Sequence, residues 1–216
     1  MQRFSKLSTK ILQFAMISGP SLMVIAMLLI APQQQLLGSL EGTNLFLRSI
    51  AGEPGAWHLS HVAMLFAAVV FPLAFIGLYR SLIPCNFWFA IAGLFFGYVG
   101  AVLLIGQLAL DFVYGALVAN GGDLDAARSA RRMIVDASTI QVAFNMVANI
   151  GLVVGWAIAA IMSLIYNAPS RLFGVLVLLG WLTIILLSGK IPYVEAVGHG
   201  MMAAAMILAV RKQNEA

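Results

Sequence analysis

A chain of 216 residues with 62% hydrophobic and only 9% charged side chains cannot clothe a water-soluble surface of its size. Its apolar runs are long and continuous, without the alternation of a membrane β-barrel, so a soluble domain and a barrel are both excluded. The net charge of +4 sits mostly on residues flanking hydrophobic runs, which points to membrane orientation and away from nucleic acid.

The remaining class is all-α: a polytopic membrane protein, one transmembrane domain over residues 1–216. Arg3, Lys6 and Lys10 precede an apolar run over 11–31. A signal-peptide core spans only about 7–15 residues. This run is longer and no small-x-small cleavage site follows, so the reading is a retained first helix with a cytoplasmic N-terminus. A loop follows, with Gln33, Gln34 and Gln35 and the breakers Gly52, Pro54 and Gly55. Its middle has the composition of a short helix lying on the membrane surface.

The second helix is expected over 57–79, with a kink at Pro72. Arg80 closes it, and a short link makes its successor an antiparallel neighbour. The third helix, 87–118, carries Gly93, Gly97 and Gly100 as a small-residue seam for close packing. Residues 123–137 read as a second interfacial helix, with Arg128, Arg131 and Arg132. The fourth helix, 138–166, has its own seam at Gly151 and Gly155. Helices over 172–188 and 193–210 complete six spans. Six spans put both termini on one side, and counting Lys and Arg, seven against five, makes that side the cytoplasm. The single cysteine, Cys85, rules out an internal disulfide.

Polar side chains inside transmembrane helices are costly and usually face the bundle interior. In this topology His58 and His61, Gln107 and Asp111, Gln141 and Asn145, and Glu195 and His199 all fall in the outer half of the membrane. Several are four apart, on one helical face. The slab is therefore expected to hold a polar pocket surrounded by helices two, three, four and six. Such a pocket suits a polar small ligand or a transition metal such as zinc, with His61, His199, Asp111 and Glu195 as ligands. His58, Gln107, Gln141 and Asn145 would orient those ligands or pack the helices. An open metal position would activate water for hydrolysis. Haem b is an alternative, with His61 and His199 as axial ligands and Gly198 and Gly200 admitting a flat ring. So is a non-catalytic transporter or accessory subunit whose polar cluster only holds helices together.

A histidine opening helix two, Gly77-Leu78-Tyr79-Arg80 closing it, Asp111-Phe112-Val113 late in helix three and a small-residue-rich last helix resemble a group of small bacterial multi-pass membrane proteins of unknown function. The resemblance implies a helical fold in the bacterial inner (cytoplasmic) membrane, with the lipid bilayer as partner, and implies no activity.

Overall fold

The computed structural model describes residues 2–36, 50–51, 53–119, 125, 129, 139–188, 191 and 193–215. Among them are six α-helices and no strand: α1 Gln2–Leu36, α2 Pro54–Leu82, α3 Phe87–Ala119, α4 Thr139–Tyr166, α5 Arg171–Leu187 and α6 Val194–Glu215. Five are long and apolar enough to cross a membrane; α5, of 17 residues, is shorter. Both expected interfacial helices lie outside the described residues, apart from helical positions at Leu36, Ile50, Asp125 and Ser129. The expected kink at Pro72 leaves α2 one continuous helix.

Local chemistry sets the helix ends. Pro54 stands in the first turn of α2, where its missing N–H costs nothing. The Asn86 side chain accepts from the Phe89 N–H at 3.2 Å and caps α3. Asn167 ends α4 with φ 56°, a left-handed conformation that asparagine tolerates. Three residues later the Ser170 hydroxyl accepts from the Phe173 N–H and starts α5.

The helices form a closed ring. Each packs on its sequence neighbours, and α6 packs back on α1. Contacts along each pair run in opposite directions, as in Gly97 with Phe75 and Gly115 with Trp57 between α2 and α3. Gln13 of α1 bonds Asn214 of α6 at 2.9 Å, which places the start and end of the chain together.

Small residues let this ring close. The glycine seams expected on α3 and α4 meet each other. A Cβ on Gly155 would lie 2.5 Å from the Gly97 Cα, and one on Gly151 2.9 Å from the Phe96 carbonyl. Inside the ring, alanines such as Ala67, Ala74, Ala101, Ala159 and Ala205 are buried, with Phe75, Tyr79 and Trp156 filling the wider gaps. The outside carries large exposed apolar residues, including Phe66, Phe95, Ile150, Ile165 and Ile185, on every helix from α2 to α5. A surface this apolar is stable only against lipid.

A candidate ligand cavity at the centre of the ring

A partly open cavity of ≈ 160 Å³ lies within the ring, near the middle of the bundle. Every helix contributes to its wall. Pro20 and Met23 come from α1, Phe71 from α2 and Leu104 from α3; Asn149, Leu152 and Trp156 come from α4, Trp181 from α5, and His199 and Met202 from α6. This corrects the expectation that α1 and α5, poor in ionisable residues, stay away from the site. Their contribution is apolar and aromatic surface.

The wall has few polar groups. His199 is half-buried on α6, one turn and a half from its start. The indole N–H of Trp181 is buried and has no hydrogen-bond partner among the described residues. Asn149 donates from Nδ2 to the Asn145 carbonyl, 2.9 Å away in its own helix. The volume is close to that of an engineered apolar cavity of about 150 Å³ that stays dry and binds benzene. The cavity wall is mainly apolar, and among the described residues that line it His199 is the one ionisable residue.

The other expected site residues are elsewhere. His61 lies on α2 almost three turns before Phe71 and does not line the cavity. Its ring stacks on Trp57 with centroids 3.9 Å apart, and its Nδ1 lies 3.0 Å from the Trp57 carbonyl. A carbonyl only accepts, so Nδ1 carries the proton and donates. Ser60 donates to the same carbonyl at 2.8 Å, and Phe112 meets the His61 ring edge-on. Trp57 itself is fully buried among Met27, Ile30, Ile50, Val118 and Ala196. His61 is thus part of a packed aromatic box. His58, at the helix start, sits with Nδ1 2.6 Å from the Pro54 carbonyl.

Asp111 is half-buried and is not without a partner. Gln107 is half-buried with its Oε1 unsatisfied among the described residues. The Ser188 hydroxyl donates to Glu195 Oε1, tying the start of α6 to the end of α5. Asn145 is half-buried in α4, and the side chain of Gln141 lies outside the described residues.

Among the described residues, no three His, Cys, Asp or Glu side chains come together as metal ligands. His61, His199, Asp111 and Glu195 therefore do not form the expected metal shell. Of the two glycines expected to admit a flat ring, Gly198 does not, because a Cβ there would meet the Gly180 carbonyl oxygen at 2.7 Å, whereas the space around Gly200 is open. Reasoning from ionisable residues missed Trp181, Trp156 and Phe71. One sequence signal marks them: Trp156 and Trp181 stand in the middle of apolar runs, whereas tryptophan in a membrane protein favours the interfaces.

Comparison with protein-family models, with curated proteins and with solved structures finds no match for this chain.

Proposed function

We propose that this chain is a six-span protein of the bacterial inner membrane, with both termini cytoplasmic, and that its central cavity binds a small membrane-soluble molecule through His199 and Trp181. The observation that carries the binding reading is a cavity walled by all six helices, one of whose lining residues, Trp181, has a buried indole N–H with no hydrogen-bond partner among the described residues. Burying such a donor unpaired costs about 1–3 kcal/mol, which a ligand carbonyl or hydroxyl would offset. Aromatic faces from Phe71, Trp156 and Trp181 favour a flat or ring-bearing ligand.

Two features support the six-span topology. The 17 residues of α5 rise about 25 Å, at the short end of spanning lengths. Packing between α4 and α6 makes α5 a full member of the ring. The orientation draws on charge: Lys10, Arg80, Arg171, Arg211 and Lys212 all lie at the end that carries the termini, as expected of the cytoplasmic side.

A titration with a para-alkylphenol, a ring with one hydroxyl, tests the cavity. Wild-type protein in mild detergent should bind it, with quenching of tryptophan fluorescence and a raised melting temperature. His199→Leu and Met202→Phe should weaken both effects, and His61→Leu should leave them. Equal responses in wild type and the His199 variant would sink this reading and favour the accessory-subunit alternative.

A further inference from the structure

A second cavity, of ≈ 260 Å³, opens at the end of the bundle where the termini meet. It lies between α1, α2 and α6 and is lined by Thr9, Leu12, Gly77, Arg80, Ser81 and Gln213. It shares no residue with the central cavity. Among the described residues that line it, the Arg80 guanidinium is the one charged group and none is a carboxylate. Glu215, the nearest acid along α6, is 3.0 Å from Lys212. Among the described residues, none pairs with Arg80.

The groove is held in shape from both sides. Gln213 donates from Nε2 to the Gly77 carbonyl at 3.1 Å, which pins the end of α6 against α2. The Ser81 hydroxyl donates to the Leu78 carbonyl at 2.7 Å. Gly77 allows α1 close: a Cβ there would fall 2.9 Å from the Met16 sulfur. The remaining amide hydrogen of Gln213 and the five N–H donors of Arg80 are then the groove's donors. An arginine fork matches the oxygens of a phosphate group.

Arg80 also crowns an exposed apolar stripe. Phe66, Val69, Leu73 and Ile76 precede it at steps of three and four, so they share its face of α2. They are 60%, 50%, 40% and 36% exposed. An acyl chain lying on that stripe would deliver its headgroup to Arg80. Lys10, Arg171 and Arg211 are also exposed at this end of the bundle.

We infer that the groove between α1, α2 and α6 binds a phosphate group, presented by an anionic phospholipid of the surrounding leaflet. The apolar stripe leading to Arg80 favours a lipid over free phosphate, and the inference is independent of what the central cavity holds.

Native mass spectrometry on delipidated protein tests it, with phosphatidylglycerol, phosphatidylcholine and inorganic phosphate as probes. Wild type should retain phosphatidylglycerol at about five- to tenfold lower lipid concentration than phosphatidylcholine. Arg80→Gln should abolish that preference, and Arg80→Lys should keep part of it, since a lysine supplies charge without the fork. Arg171→Gln, which removes an exposed arginine of the same end outside the groove, should leave the preference intact. Inorganic phosphate that displaces phosphatidylglycerol from wild type but not from Arg80→Gln would keep the phosphate site and make its occupant a soluble phosphate. Equal lipid retention in wild type and Arg80→Gln overturns the inference. So does an equal loss in Arg80→Gln and Arg171→Gln, because a diffuse basic surface would then account for the binding.

Discussion

The Tyr79 hydroxyl donates a 2.6 Å hydrogen bond to the Gly155 carbonyl, crossing from α2 to α4. Its ring fills the space that a side chain on Gly93 of α3 would need, so one buried phenol joins three helices. Tyr79→Phe should lower stability by about 1 kcal/mol, the net value of a neutral hydrogen bond. Tyr79→Ala should cost about 3–5 kcal/mol, through the cavity it opens. Thermal unfolding in detergent measures both. Equal melting temperatures for wild type and Tyr79→Phe would show that the bond contributes nothing.

The α3–α4 seam gives a prediction with an internal control. Gly155 faces the Gly97 backbone so closely that any side chain must push the helices apart. Gly155→Leu should therefore destabilise by at least about 1–3 kcal/mol. Gly200 lies in a helix too, but a Cβ there meets nothing within 4 Å. Gly200→Ala should be neutral or gain up to about 1 kcal/mol from helix propensity. Comparable losses at both positions would mean that helix packing does not depend on the seam.

The helices themselves were legible because length and apolarity alone define them. The expected bounds of α3 and α4 differ from the observed ones by a single residue at one end. The 11–31 run extends outward to Gln2–Leu36, and at its end the helix passes through Pro32, which does not stop it. The glycine seams were legible for the same reason, as a fixed spacing on one face. The cavity was not. Its walls are the residue types that also make an ordinary apolar core, and only their position around the ring distinguishes them. The expected pocket followed the ionisable residues. Local chemistry satisfies several of these: His58 and His61 at carbonyls of their own helix turn, Glu195 at Ser188. Trp57 of α2 and Ala196 of α6 share one packed cluster, so the starts of these helices lie side by side, but a shared level does not say which way a side chain faces.

His61 and His199 should respond oppositely to the same substitution. His61→Leu removes the stacking on Trp57 and the bond to its carbonyl, a loss of about 1–2 kcal/mol. His199→Leu replaces a cavity-lining imidazole that has no protein partner among the described residues, and stability should hold or rise. Because the described residues assemble no metal site, chelator treatment should leave the melting temperature of wild type unchanged. A melting temperature that falls on chelation, together with stoichiometric zinc lost in both histidine variants, would restore the metal shell and refute this assignment.

Cys85 offers a direct test of orientation, because it is the only cysteine in the chain. It lies in the turn between α2 and α3, at the end where Asn86 meets Tyr166 and where α1 begins and α6 finishes. If the basic end faces the cytoplasm, a membrane-impermeant maleimide should leave Cys85 unmodified in intact cells and modify it in inverted vesicles. Cys85 is half-buried, so the rate should be slow but measurable. Ile191, 51% exposed at the opposite end between α5 and α6, supplies the mirror position. In a Cys85→Ser, Ile191→Cys variant the pattern should reverse, with modification in intact cells. Both sites reacting from the same side would break the topology between α2 and α6, most directly by removing the short α5 as a span. Both reversing together would keep six spans and turn the basic end outward, against the charge asymmetry that sets membrane orientation.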